Sequence, residues 1–311
     1  DDIASDNART LLNNLLTGAN IGGFADRKPT DPLILDIVPQ TVGTLTQHSL
    51  RIARKRANGE LWDVEQYPVR DPVQTEFLVS VMLHDYEKTQ TNLALLHDLL
   101  KDIYLRQDIL LIGDMGTGKD WIEDILATLL QQPLATLSVN EHTRPRHFTQ
   151  HEVIQKNLNV LVDSPNVQAM RPGNGFWVRY DEVNKAEPGT LAVVNNILAY
   201  RFITLPDGDE LQADERFRVW MNMNPMRPPY MNYEMSGEFI DRPVKHVVDY
   251  VPEDEEAAML HGSSPTVGLE ICKRLAKAAK RLRDIYRGRV PGHALPHPPS
   301  RRTLEKIVDR L

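Results

Sequence analysis

Apolar and polar positions change period repeatedly along this chain, and the changes mark out elements. Within residues 75–107 the apolar side chains Leu93, Leu95, Leu96, Leu99, Leu100 and Ile103 fall at helical spacing. "DILLIG" (108–113) is then a short continuous apolar run closed by glycine, the pattern of a strand buried on both faces of a parallel sheet. "DWIEDILATLLQQP" returns to the helical period, with Ile122, Ile125, Leu126 and Leu129 on one face. "LATLSV" (134–139) predicts the next strand, a polar loop follows, and "GFWVRYDE" (175–182) predicts another. A helix is predicted through "GTLAVVNNILAY". "RFITLPDGDELQA" (201–213) alternates around Asp207-Gly208, a hairpin signal. "FRVWMNMNP" (217–225) is a buried strand stopped by proline, "KHVVDYVP" (245–252) a further short strand, and 253–311 is helical in pattern.

Strands alternating with helices predict an α/β fold: a parallel sheet sandwiched by helices, with a small C-terminal helical lid. The expected division is an N-terminal extension of unassigned fold (1–74), a nucleotide-binding core (75–252) and the lid (253–311). In the extension, "DNARTLLNNLL" reads as a short capped helix, "LRIARKRANGELW" carries charge but no motif, and Pro68 and Pro72 mark a boundary.

The strand–turn–helix at 108–132 brackets "GDMGTGKD". Gly113, Gly116 and Gly118 permit a tight turn that aims backbone N–H groups at a polyphosphate, with Asp114, Met115 and Thr117 completing the loop. Lys119 supplies positive charge to the β- and γ-phosphates. The next position normally offers a hydroxyl to Mg²⁺, and here it is Asp120. A carboxylate is a good Mg²⁺ ligand. It also repels a triphosphate, by roughly 3 kcal/mol at ~5 Å and an effective dielectric of ~20. Asp120 thus predicts strong metal dependence, against the plainer reading that it caps the helix starting there.

About 60 residues on, the apolar strand "WVRYDE" ends in Asp181-Glu182. In a phosphate-loop enzyme Asp181 would hold Mg²⁺ and Glu182 would polarise the attacking water. Arg179 inside that strand is expected at an exposed sheet end or paired with an acid.

The order of loop, acidic strand end, hairpin, polar strand end and helical lid resembles an AAA+ ATPase over roughly residues 75–311. The stretch from "SPNVQAM" to "ITLPDG", with "NKA" after the acidic pair and a hairpin before the next strand, is similar to the MoxR and dynein/midasin-like branch. It also resembles modules of large AAA+ proteins carrying von Willebrand factor A domains. Activators of the alternative bacterial sigma factor likewise carry an acid after the loop lysine. The resemblance implies ATP and Mg²⁺ as ligands, and Asn224 in "NMNP" as the sensor that orients water, with Asn222 the less favoured candidate. It implies Arg242 in "GEFIDRPVKH" as an arginine finger on a neighbouring subunit, although Pro243 replaces the usual Phe. It also implies Arg302 in "PPSRRTL" as the lid's sensor arginine, with Arg301 the fallback. An ATPase ring, expected as a hexamer, would remodel a protein client, a von Willebrand factor A domain protein among the candidates. The rival is a subunit of the same fold that binds nucleotide but hydrolyses it poorly. A nucleoside-type kinase would share the loop but has no need of the acidic pair, sensor and lid arginine.

Composition adds limits. With 36 basic and 43 acidic residues the chain carries −7, which disfavours bulk nucleic-acid coating. The basic run 273–289 reads as a lid helix with a solvated face, its apolar side formed by Ile271, Leu275, Ala279, Leu282 and Ile285. A single cysteine, Cys272, excludes an internal disulfide and fits the cytoplasm or another reducing compartment. No apolar run reaches the ~18 residues of a membrane span. His293 and His297 lack a second cluster at metal spacing, and an initial Asp reads as a fragment or a processed form.

Overall fold

The structure is a computed structural model that describes residues 30–42, 45–71, 73–155, 158–225, 232–292 and 297–311. The expected helix at 6–16, Pro72, the Met-rich segment 226–231 and His293 lie outside the described residues.

At its centre is a five-stranded, all-parallel sheet of β4 (Ile109–Ile112), β5 (Leu134–Ser138), β8 (Trp177–Asp181), β11 (Arg218–Met223) and β12 (Val244–Val247). The strand order is β12-β4-β11-β8-β5. β11 therefore lies between the strand that feeds the glycine loop and the strand that ends in Asp181. This places the polar end of β11 beside both.

One face of the sheet is covered by α1 (Gln90–Tyr104) and α2 (Lys119–Leu129). Leu96, Leu99, Leu100, Ile122, Ile125 and Leu126 pack there with Ile109, Leu111 and Trp220. The other face meets α3 (Pro165–Met170) and α4 (Ala192–Tyr200) through Val167, Met170, Val194 and Ile197. The Asp207-Gly208 turn joins β9 (Phe202–Thr204) to β10 (Glu210–Gln212), antiparallel as the alternation predicts. A short α5 (Gly237–Asp241), capped by Ser236, leads into β12.

Three departures from the sequence reading stand out. First, "LRIARKRANGELW" belongs to an antiparallel sheet of β1 (Leu33–Val42), β2 (Leu45–Lys55) and β3 (Leu61–Pro68). Leu50 and Ile52 on its inner face join the cluster that holds α1 and α2. Its arginines pair across strands, Arg51 with Asp36 at 2.9 Å and Arg54 with Asp63 at 3.4 Å. Second, the supposed polar loop after 139 contains an antiparallel hairpin, β6 (Gln150–Gln155) with β7 (Leu158–Asp163), and then α3. Third, the helical period in 75–107 yields one helix from Gln90, capped by Thr89, while 75–84 is irregular.

The C-terminal helices α6 (Glu253–Ser263), α7 (Leu269–Tyr286) and α8 (Arg301–Val308) enclose their own small cluster: Ala257, Leu260, Cys272, Ala276, Ala279, Leu304 and Val308. The buried face of α7 is Cys272, Ala276, Ala279 and Arg283, one position round from the expected stripe; Ile271 and Leu282 are exposed. Small side chains let α6 approach closely, and a buried ion pair takes the place of a large apolar residue: Arg283 donates to Glu256 at 2.7 and 2.8 Å.

Candidate nucleotide site

The loop between β4 and α2 turns sharply. Gly113 lies so close to the end of β12 that a Cβ there would sit 2.3 Å from the Val248 carbonyl oxygen. Gly116, at φ +76°, faces the lid: its Cβ would meet Ser300 Cβ at 2.3 Å. Both positions exclude any side chain. Thr117 Oγ1 donates to the Asp114 carbonyl at 3.0 Å, closing the turn. Gly118 is the N-cap of α2 in the left-handed region, so Asp120 stands inside the first turn and is not the cap. Its carboxylate oxygen Oδ1 instead accepts from Asn222 Nδ2 at 2.8 Å.

Lys119 is buried and donates to the carbonyls of Gly113 at 2.8 Å and Asp114 at 3.2 Å, and to Asn224 Oδ1 at 3.5 Å. Burial lowers its pKa, partly opposed by Asp120, Asp181 and Asp114. Asp181, at the end of β8, is raised by burial and by the charges of Asp120 and Glu182. Glu182 stands in the left-handed region at φ 54°, costly for a residue with a Cβ. Its Oε2 is paired to Lys185 Nζ at 2.5 Å. Asn184 donates to the Asn224 carbonyl at 2.9 Å, tying the end of β8 to the end of β11. The "NKA" residues therefore organise the site, although their sequence position alone gave them no role.

Arg179 resolves as the paired alternative. Its guanidinium donates to Asp124 at 2.8 Å and to Glu123 at 3.3 Å. Glu123 is completely buried, and burial pushes its pKa well up, opposed by Arg179. Sequence reasoning missed Glu123, although a carboxylate set inside the stripe of Ile122 and Leu126 demands a partner.

The loop, Asp181, Glu182, Asn222 and Asn224 line one cleft of about 450 Å³, closed on the opposite side by Tyr250, Glu256, Ser300, Arg301, Arg302 and Glu305. Arg302 is exposed to the cleft, whereas Arg301 is engaged by Glu305 at 2.8 Å and by Glu87 at 3.2 Å. The lid is seated on the loop by side chains the sequence did not single out. Arg287 bridges the loop's Asp114, at 2.8 Å, and Asp249, at 2.5 Å. Tyr250 Oη donates to the Met115 carbonyl at 2.8 Å, and Arg283 stacks 3.7 Å from the Tyr250 ring centre. Arg242 lies away from the cleft at the end of α5, donating to Asn195 Oδ1 at 2.7 Å and paired with Glu238. Among the described residues, the group with metal-ligand spacing outside the cleft is Asp63, Glu65 and His97. Lys101 already lies 3.4 Å from Asp63 and 3.9 Å from Glu65.

A glycine loop on a parallel sheet, a buried lysine, an acidic strand end and a polar strand end between them define a P-loop nucleotide-binding module with a helical lid. A family model described as AAA domain (dynein-related subfamily) matches residues 108–242. The chain is similar to the mouse von Willebrand factor A domain-containing protein 8, 25% identical over 240 residues, 73% of this chain and 12% of that one. It is 30% identical over 173 residues to an uncharacterized protein of Staphylococcus aureus strain USA300, covering 51% of this chain and 64% of that one. A Staphylococcus saprophyticus protein, also uncharacterized, is 29% identical over 159 residues, 48% and 58% of the two chains. The chain thus spans about an eighth of the mouse relative and roughly three-fifths of the staphylococcal ones. The chain is similar to a solved structure from Cytophaga hutchinsonii over 61% of this chain and 58% of that one, at 15% identity and a TM-score of 0.46. No helix among the described residues is long and apolar enough to cross a membrane.

Proposed function

We propose that this module binds ATP with Mg²⁺ in the cleft between sheet and lid and hydrolyses it. The observation that carries the reading is convergence. Lys119, Asp181, Glu182 and Asn224, far apart in sequence, meet on the floor of one cleft that Arg302 faces from the lid. The donor set suits a divalent cation: the carboxylates of Asp120 and Asp181 line the same space beside Lys119.

In this reading the loop N–H groups and Lys119 hold the β- and γ-phosphates. Asp120 and Asp181 would hold Mg²⁺, which supplies charge neutralisation on the phosphate oxygens. Glu182 accepts the proton of the attacking water, and Asn224 orients that water. Arg302 adds positive charge from the lid. Arg242, engaged by Asn195 and Glu238 outside the cleft, would serve a neighbouring subunit's nucleotide in a ring. A hexamer that remodels a protein client is the assembly we propose. The mouse relative's von Willebrand factor A domain makes such a domain the first client to test. The single cysteine, Cys272, is buried and free, which supports a reducing compartment.

One observation favours a hydrolysis-poor scaffold instead: Lys185 holds Glu182 at 2.5 Å, occupying an oxygen the water needs. ATP binding and turnover, measured across a Mg²⁺ range for wild type, Asp120→Thr and Glu182→Gln, separate the readings. Turnover by wild type, abolished in Glu182→Gln with binding retained, supports the ATPase. Binding without turnover, with turnover appearing in Asp120→Thr, supports the scaffold. Absence of binding at every Mg²⁺ concentration overturns both.

A further inference from the structure

Helix α2 rests on two strands that each send it a polar side chain where a buried parallel strand ordinarily carries Val or Ile. Arg179 comes from β8 and Asn222 from β11. Asn222 is completely buried, and its Nδ2 donates to Asp120 Oδ1 at 2.8 Å and to Glu123 Oε2 at 3.3 Å. Arg179 reaches the Asp120 carbonyl at 3.4 Å as well as the side chains of Glu123 and Asp124. The main chain and the carboxylate of Asp120 are thus both held from beneath. The arrangement is costly: Asn222 Oδ1 and Glu123 Oε1 are buried with no hydrogen-bond partner. A fold that needed only a sheet under a helix would not retain it.

We propose that Asn222 is the positioning residue for Asp120, fixing one carboxylate oxygen so that the other is presented to the divalent cation held with Asp181. The inference rests on reading the cleft as a metal–nucleotide site. Its logic is specific to this chain. A Ser or Thr at 120 would offer its hydroxyl from a short side chain with few rotamers. A carboxylate turns freely about two bonds and, unheld, swings toward the phosphates and repels them. The substitution at the loop's end and the amide in the strand below form one device.

The test is a double-mutant cycle on metal dependence. Fluorescent ATP-analogue binding is titrated with Mg²⁺ for wild type, Asn222→Leu, Asp120→Thr and the double variant, with thermal melts on each. Asn222→Ala, which also removes the donor and adds no bulk, stands in if the leucine variant does not fold. Direct Mn²⁺ binding, followed by electron paramagnetic resonance without nucleotide, is the second readout. Loss of Asn222 is expected to raise the Mg²⁺ needed for half-maximal binding about tenfold or more when Asp120 is present, the range seen when a partner of a metal ligand is removed. With Thr at 120 it is expected to change that concentration less than about twofold. Mn²⁺ affinity should fall in parallel. Equal shifts in both backgrounds, or a lowered melting temperature with unchanged metal dependence, would overturn the proposal and leave Asn222 a structural residue. If wild type binds no nucleotide but Mn²⁺ binding depends on Asn222 and Asp120 together, positioning stands while the ATPase reading falls. If neither ligand depends on Asn222, the proposal falls by itself.

Discussion

The buried ion pair of the lid offers a quantitative test of how the C-terminal helices serve the cleft. Arg283 on α7 and Glu256 on α6 meet through two hydrogen bonds of 2.7 and 2.8 Å, with side chains 4% and 3% exposed. Arg283 also donates through Nε to the Pro299 carbonyl at 2.9 Å, immediately before Ser300, Arg301 and Arg302. Replacing Glu256 by Gln keeps the shape and removes the countercharge. Charge centres ~4 Å apart at an effective dielectric of ~20 attract by about 4 kcal/mol. Losing one partner of a buried pair typically costs about 3–5 kcal/mol, because the remaining charge is stranded.

Each kcal/mol moves the melting temperature by about 2–4 °C in a domain of 150–250 residues, so Glu256→Gln should lower it by about 6–20 °C if the lid unfolds with the sheet. Differential scanning calorimetry at pH 7 measures this directly. Removing both partners, as Glu256→Leu with Arg283→Met, should recover most of the loss, since a well-packed apolar pair often equals a buried ion pair. ATP affinity should fall in the single variant, because Arg283, without its countercharge, would hold the Pro299 carbonyl less firmly. A shift under ~2 °C for Glu256→Gln, or a double variant no more stable than the single one, would refute the claim that this pair holds the lid together.

Arg179→Met should destabilise by about 3–5 kcal/mol in urea unfolding, since it strands Glu123 with no cationic partner; a loss below ~1 kcal/mol would show that Glu123 is already neutral. Glu123 has a folded pKa raised above its unfolded value, so the folded state binds more protons between the two, and wild-type stability should fall as pH rises from about 4.5 through the folded pKa. Glu123→Gln should flatten that slope, and denaturation curves between pH 4 and 8 that stay parallel to wild type would contradict it. Gly116→Ala forces a side chain into the left-handed region, at about 1–2 kcal/mol, and drives its Cβ into the backbone-anchored Ser300. ATP affinity measured by calorimetry should drop about tenfold, and an unchanged affinity would mean that the lid does not seat on the loop in solution.

What the sequence revealed and what it concealed follow one physical division. Gly113–Asp120 between two apolar periods, and Asp181-Glu182 at the end of another, are local signals, because a phosphate loop and a strand-end carboxylate need no distant partner to be recognised. Glu123 and Arg287 were hidden because each acquires its role from a residue remote in sequence, Arg179 and Asp114 respectively. The β6–β7 hairpin escaped for the opposite reason. It carries no buried stripe, and Ile154 and Leu161 stand 75% and 43% exposed, so no period-2 core pattern exists to read. On α7 the expected Ala279 is buried, but Ile271 and Leu282 stand exposed, and close helix approach favours the small Cys272 and Ala276 in their place.

Asp120 shows how such a division can mislead at one position. Read alone, it is either a magnesium ligand or a helix cap. In the structure Gly118 is the cap, and the Asp120 carboxylate turns to Asn222. The donors supplied beneath α2 are telling. Arg179 spends its charge on Glu123 and Asp124 and touches Asp120 only through the peptide oxygen. The carboxylate itself receives a neutral amide. An arginine there would have cancelled the negative charge and made Asp120 a poor metal ligand. An amide orients the oxygen and leaves its charge available, which is what a ligand for a divalent cation requires and what a helix cap does not.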